Sequence, residues 1–397
     1  MISFREALGR LLEAVPRGGT ERVRIENAAG RVLRQAILAD REFPPFDRVM
    51  MDGFALRSAE WATGTRVFKV TGQAMAGMPQ VSMAEGTATC VEVMTGAPCP
   101  AGADCVVPVE ELAGMEEGGA RFNDGADPVA GRFIHARGSD VAAGAVVLEE
   151  GTVLGAREIG VAASCGAGWL EVSKLPTISV MATGDELVAV DETPLPHQIR
   201  QSNAHALAAA LGRAGLPAAN VGTVCDDEEV AVAALAEWLA AGDWLILTGA
   251  VSKGARDFVP VVLGELGCTE LFHGVAQRPG KPAGCWIGPK GQIVMALPGN
   301  PVSAITGLHA FVLPALARAL GLGERAARKV VPVDCRGLEG MTQHLPVVLR
   351  EDGRAEAAPT GNSGDFIGLL KSDGFVTLPP RGEHAGLPAA VPFTPWL

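Results

Sequence analysis

Three short stretches carry groups that can act on an anion: ATGDEL (182–187), TGAVSKGARD (248–257) and LPGNPVSA (297–304). In the second, Thr248, Gly249, Ser252, Lys253 and Gly254 offer hydroxyls, backbone N–H groups and a cation, and Asp257 closes the stretch. In the third, Pro298, Gly299, Asn300, Pro301 and Ser303 open a helix, whose N-terminus attracts anions. The first offers Asp185 and Glu186. Carboxylates beside an oxyanion repel it unless a cation lies between them. Mg²⁺ is the natural choice, because it takes oxygen ligands and bridges phosphates. Taken singly, each piece has a plainer reading. A Gly-Ser-Lys loop is a common turn, and Lys281 in RPGKP is equally a turn lysine. Asp226, Asp227, Glu228 and Glu229 read as acids favoured at a helix N-terminus.

What gives the three stretches weight is the element before each of them. PTISVMATG, WLILTG and QIVMALPG read as strands, and from residue 176 onward strands alternate with helical patterns. The helices are read over 204–214, with Asn203 as cap and Gly215 as stop, then over EEVAVAALAEWLA, DFVPVVLGELG and PVSAITGLHAFVLPALARALG. AANVGTV and CTELFHGVA are read as further strands. Such alternation predicts a largely parallel sheet covered on both faces, with ligands beyond the C-terminal ends of the strands. All three stretches would then face one edge. Earlier in the chain, Ser3-Phe4-Arg5-Glu6 has capping-box spacing before Leu8, Leu11 and Leu12, which predicts a first helix. Between about 41 and 140, strand-like pieces such as TRVFKVTG, ATCVEVMTG, DCVVPVEEL and GRFIHARG are separated by Gly and Pro. The tail from about 326 is again β-rich. The expected fold is multidomain α/β plus β: residues 1–44 with 141–175, an inserted β-rich domain over 45–140, an α/β domain over 176–325 and a C-terminal β-barrel-like domain over 326–397.

The 397 residues include 45 acids against 33 bases, a net charge of −12, which argues against phosphate-backbone binding to nucleic acid. The 8 cysteines show no C-x-x-C pair and read as reduced, buried thiols. The 7 histidines show no zinc-ligand spacing. There is no Walker A loop, no dinucleotide fingerprint and no G-x-S-x-G elbow. The charged N-terminus is unlike a signal peptide and no apolar run has spanning length, so a cytoplasmic protein without membrane contact is expected.

The stretches FPPFDRVMMDGFAL, EVMTGAPCPAGADCVVPVEE, RGSDVAAGAVVLEEGTVL, SVMATGDEL, LTGAVSKGARDF, QRPGKP, ALPGNPVSA and GNSGDFIGLLKSDGFVTLPP occur in the order found in the molybdopterin molybdenumtransferases. The chain resembles this family, called MoeA, which includes the E domain of gephyrin, over essentially its whole length. The resemblance implies insertion of molybdenum into adenylylated molybdopterin, with Mg²⁺ and molybdate required and AMP released, as the final step of molybdenum cofactor synthesis. It implies four subdomains, an elongated homodimer, and a cleft to which both protomers contribute. Transient contact with the molybdopterin adenylyltransferase and with downstream cofactor-handling proteins would follow.

On this resemblance Asp257, Asp185 and Glu186 are candidates to hold Mg²⁺ or position water. Asp47, Asp52 and Asp140 would add acids from the β-rich region, reaching the partner's cleft. Thr95 in MTGAP would donate a hydroxyl hydrogen bond. Arg278 and Lys281 would meet phosphate or molybdate, while Pro298 and Pro301 would shape the loop ending at Ser303. Several positions depart from the family pattern. Arg48, Val49 and Met50 stand where Asn-Ser-Ala is usual, Phe54 and Phe258 where Tyr is, and Ala250 where a Gly is. The chain contains no Tyr. Two rival readings share the fold: a non-catalytic molybdopterin carrier or scaffold, and a molybdopterin adenylyltransferase. The full-length match opposes the second.

Overall fold

The computed structural model describes residues 1–224, 228–249, 258–323, 328–333, 335–358, 360–381 and 389–397. The chain divides into two compact units. One is Met1–Arg34 with Glu150–Gly155 and Leu170–Leu397; the other is Gln35–Glu149 with Ala156–Trp169.

In the first unit a six-stranded sheet runs in the order Asn220–Val224, Ile178–Thr183, Trp244–Thr248, Ile293–Leu297, Gly284–Ile287, Thr269–His273. The first four strands are parallel and the last two antiparallel. The two-residue period of a strand sends alternate side chains to opposite faces. Ile178, Val180, Ile246 and Met295 join the core under the helices Phe4–Ala14 and Asn203–Arg213 and the helical run Pro301–Ala319. Met181, Leu245, Leu247 and Val294 pack on the opposite side, against the helices Glu228–Ala241 and Val259–Glu265. With both faces covered, every residue of WLILT is buried, which is why the strand reads as an unbroken apolar run.

The first helix forms as its caps predict: Ser3 Oγ accepts from the Glu6 N–H at 3.1 Å. Its Ala7 and Leu11 are fully buried, and burial of a leucine is worth about 1.5–3 kcal/mol. The run after residue 300 is not one regular helix. It comprises Pro301–Gly307, a π-helical turn Leu308–Val312, and Leu313–Ala319. Pro314 has no N–H to give the Ala310 carbonyl, and the wider turn accommodates the missing bond. Pro301–Ala319 is long and apolar enough to cross a bilayer, yet 72% of it is buried inside the protein, as befits a core helix.

CTELFHGVA is not one strand. Gly274, with φ +84°, turns the chain between Thr269–His273 and Val275–Arg278. The second of these belongs to another sheet, ordered Ile2–Ser3, Val275–Arg278, Thr342–Leu349, Gly374–Leu378, Val391–Pro395, Lys329–Val330. Val275–Arg278 lies parallel to Thr342–Leu349, pairing Gln277 with Thr342 and Arg278 with Gln343. The β-rich tail is thereby stitched to the α/β region.

The second unit holds a six-stranded sheet ordered Cys105–Pro108, Gly53–Leu56, Thr89–Val93, Val67–Ala74, Gly119–Phe122, Leu112–Glu116. Alternation again builds two cores: Phe54, Leu56, Cys105 and Val107 face one, while Ala55, Val106, Val91 and Val93 face the other.

Candidate active site

The strands Ile178–Thr183, Trp244–Thr248 and Ile293–Leu297 end level, with Ala182 opposite Thr248 and Thr248 opposite Leu297. The loops that follow open on a cavity of about 1150 Å³. Glu186, Thr248, Gly249, Arg278 and Lys281 line it, as do Pro298, Gly299, Asn300, Pro301 and Ser303. The strand Thr342–Leu349 adds Gln343 and His344, and the loop Thr360–Gly364 closes another side. Sequence reasoning named none of the residues in that loop as site residues. Its Gly-Asn-Ser-Gly run opens one of the stretches that carry the family resemblance, and only its docking reveals a wall of the cavity. Ser363 Oγ accepts from Asn300 Nδ2 at 3.0 Å, and the Ser363 carbonyl accepts from the Val302 N–H at 3.1 Å. The helix N-terminus after Asn300 therefore gives one of its first N–H groups to the protein itself.

Asn203 is not the helix cap expected from its type. The helix begins at Asn203, with Ser202 before it. The Asn203 amide instead donates to Thr248 Oγ1 at 3.1 Å and to the Gly299 carbonyl at 2.7 Å, tying the second and third loop origins to the start of this helix. Thr248 Oγ1 passes its own proton to the Pro298 carbonyl at 3.2 Å. Gly249, at φ +105°, is required there: a Cβ would sit 2.4 Å from the Thr183 carbonyl oxygen and 2.6 Å from its hydroxyl. Glu186 folds back over Gly184, where a Cβ would lie 2.7 Å from Glu186 Oε2. The buried atoms Thr183 Oγ1, Gln201 Oε1, Asn203 Oδ1 and Gln343 Oε1 have no hydrogen-bond partner among the described residues, and all four residues line this cavity.

The cationic side of the cavity is the turn after Val275–Arg278. Arg278 and Lys281 are exposed, and Gln277 beneath them is buried. Burial pushes the His344 imidazole down to about 3, so it stands neutral in the wall. Positive charge on one lip and oxygen atoms on the loops that share the cavity are groups that could receive an anion accompanied by a hard cation.

The chain is similar to known proteins along its whole length. Residues 2–166 match the MoeA N-terminal region (domain I and II), 179–318 a probable molybdopterin binding domain, and 330–393 the MoeA C-terminal region (domain IV). A molybdopterin molybdenumtransferase of Synechocystis is 36% identical over 404 aligned positions, covering 100% of both chains. One from Bacillus subtilis is 32% identical, covering 97% of this chain and 92% of its own. A crystal structure of a molybdopterin biosynthesis MoeA protein from Pyrococcus horikoshii superposes with a TM-score of 0.80 at 26% identity, covering 100% of both. The chain belongs to the MoeA family.

The family's other motif residues lie in the second unit, and here they bond to their own fold. Asp52 Oδ1 accepts from the Thr95 N–H at 2.7 Å and from Thr95 Oγ1 at 2.8 Å, which holds its carboxyl below the usual range. Gly53 follows because a Cβ would lie 2.1 Å from the Val107 carbonyl oxygen. Asp47 Oδ1 accepts from the Arg137 N–H at 2.8 Å. Asp140 Oδ1 meets His135 Nε2 at 2.7 Å, and Arg48 Nη2 meets His135 Nδ1 at 3.1 Å. Arg48, one of the departures from the family pattern, is thus engaged in a chain ending on Asp140. Among the described residues, Oδ2 of Asp47, Asp52 and Asp140 takes no hydrogen bond.

Asp226, Asp227, Ala250, Ser252, Lys253, Gly254 and Asp257 lie outside the described residues, as does Cys225. The other seven cysteines are free and buried, and burial lifts the thiols of Cys90, Cys105 and Cys285 to about 12, far from reactive thiolates. Among the described residues no group of three or more His, Cys, Asp and Glu could hold a metal ion. Mg²⁺ does not need one: it binds through one or two carboxylates together with substrate phosphates and water. Glu186 and the Thr183 hydroxyl, which finds no partner among the described residues, are hard oxygen donors on the cavity wall, so the residues present fit that ion.

Proposed function

We propose that this chain transfers molybdenum to molybdopterin from molybdate, taking the pterin in its adenylylated form, with Mg²⁺ bound and AMP released. Molybdenum insertion in cofactor biosynthesis follows from membership of the MoeA family. The observation that supports the finer reading is the cavity, where a cationic turn faces a carboxylate loop across three strand ends.

In this reading Arg278 and Lys281 take the oxyanion charge of the pterin phosphate or of molybdate. Thr248 and Gly249 line the cavity at the strand end, and Ser252, Lys253 and Gly254, which lie outside the described residues, would add hydroxyl, cationic and backbone donors. Pro298, Gly299, Asn300, Pro301 and Ser303 form the neighbouring wall, held in shape by Asn203. Glu186 would hold Mg²⁺ together with Asp185 and Asp257. A bound Mg²⁺ would neutralise charge on the phosphoanhydride. The protein's own contribution to cleavage is position and a fixed electrostatic field, which dominate phosphoryl chemistry generally. The protein acts as a homodimer, in which Asp47, Asp52, Asp140 and Thr95 of each protomer serve the partner's cleft.

The test is AMP release from adenylylated molybdopterin by the purified chain, with and without molybdate and Mg²⁺. Release that needs both supports the reading. Tight pterin binding without AMP release under any oxyanion refutes it and favours a carrier.

A further inference from the structure

The turn bearing Arg278 and Lys281 is held from behind by three consecutive hydrogen bonds in the protein interior. Gln277 is 1% exposed, and its Nε2 donates to the Gly280 carbonyl, inside the turn, at 3.1 Å. Its Oε1 lies 3.3 Å from His344 Nε2. His344 is also 1% exposed, and its Nδ1 lies 3.2 Å from Thr377 Oγ1. The polarity of this chain is fixed from one end. The Gly280 carbonyl can only accept, so Gln277 turns its nitrogen to it and its oxygen to His344. His344 must then donate from Nε2. In the neutral ring Nδ1 is an acceptor, and the Thr377 hydroxyl supplies its proton.

Packing holds the ring in this pose. Phe4 and Phe375 meet it edge-on, with centroids 4.7 and 5.4 Å away. Gly280, at φ +92°, is the residue that lets Gln277 approach, since a Cβ would lie 2.8 Å from Gln277 Nε2. The bonds cross between Val275–Arg278 and Thr342–Leu349, so the C-terminal β region grips the cationic turn.

We infer that Gln277 and His344 are positioning residues, which set Arg278 and Lys281 in place before an oxyanion arrives. The inference rests on reading those two side chains as the oxyanion-binding pair. A loosely held turn would have to be ordered on binding, at the expense of affinity. The strut orders it beforehand. The Nε2 proton of His344 is committed to Gln277, so His344 itself carries no proton to or from the substrate, although it stands in the cavity wall.

The test compares full-length wild type with His344→Phe, Gln277→Met and His344→Gln. Phe refills the aromatic slot without an N–H; Gln places an amide nitrogen where Nε2 was. Three quantities are read: melting temperature, affinity for molybdate alone by calorimetry, and KM and kcat for AMP release. His344→Phe and Gln277→Met are expected to weaken molybdate binding and raise KM by about 3- to 10-fold, the worth of one hydrogen bond, with kcat within about two-fold. His344→Gln is expected to stay within about two-fold of wild type. Wild-type affinity in the folded Phe and Met variants overturns the inference. So does a Gln variant as weak as the Phe variant. Should one of these two variants fail to fold, the other decides. If wild type binds molybdate but releases no AMP, the transfer reading falls while the binding arm still decides this inference.

Discussion

In the β-rich unit the motif carboxylates are turned onto neighbouring protein groups, whereas in the α/β unit the motif glycines, hydroxyls and bases line open space. Asp52 accepts from both the N–H and the hydroxyl of Thr95, Asp47 caps the Arg137 N–H, and Asp140 anchors His135. Gly53 is there so that the Val107 carbonyl can approach. Across the α/β strand ends, Gly249 serves a cavity wall, and Arg278 and Lys281 point charge at solvent. The same residue types thus mark two different things. In one unit the motif secures turns and leaves one oxygen of each acid unbonded within the described residues; in the other it shapes a site.

The largest effect is expected at Lys281. Lys281→Ala should lower kcat/KM for AMP release by about 100-fold, the usual worth of one well-placed charge-stabilising donor, without lowering the melting temperature. An unchanged rate would show that the cavity is not where the anion is handled. The next effect is structural. Gly249→Ala places a methyl 2.4 Å from the Thr183 carbonyl in a left-handed backbone, at a cost of at least about 1–3 kcal/mol. Gly291→Ala, at φ +86° with nothing within 4 Å, carries the backbone cost alone and is the control. Thermal unfolding of the two should differ, and oxyanion binding should be lost only in the first.

The folded and unfolded chains also differ in proton uptake. His344 is depressed to about 3 from 6.5, so the unfolded chain binds a proton there that the folded chain refuses. Its contribution to stability is complete above about pH 6.5 and is lost as pH falls toward 3, at no more than about 1.4 kcal/mol per pH unit. Urea unfolding at stepped pH should show this slope in wild type and its absence in His344→Phe. The smallest effect is expected at Asp52. Its carboxyl is held low by Thr95, so its stabilising share is present at neutral pH and disappears as pH falls through the folded-state value. Asp52→Asn should lower the melting temperature slightly at pH 7 and not at all in strong acid.

Much of this was legible in the sequence where local rules and fold agree. WLILT between turn residues gave a buried strand, Ser3 and Glu6 gave a capped helix, and three strand–loop junctions gave the edge on which the cavity opens. What escaped was set by distant partners. Asn203 has the chemistry of a cap, but Thr248 and Gly299 claim its amide. CTELFHGVA has the composition of one strand, but Gly274 divides it between two sheets. Gln277 and His344 carry no local signal, because their pairing exists only once strands 67 positions apart lie side by side. The Asp52–Thr95 pair was visible as two motifs, yet not as one hydrogen-bonded unit.

The measurement closest to the central claim is molybdate-dependent AMP release from adenylylated molybdopterin, run side by side on wild type, Lys281→Ala and Glu186→Gln at matched folding. The cavity account predicts release by wild type and at least about a 100-fold loss in each variant, with molybdate affinity weakened in Lys281→Ala. Full activity in both folded variants would contradict it and place the transfer elsewhere in the molecule.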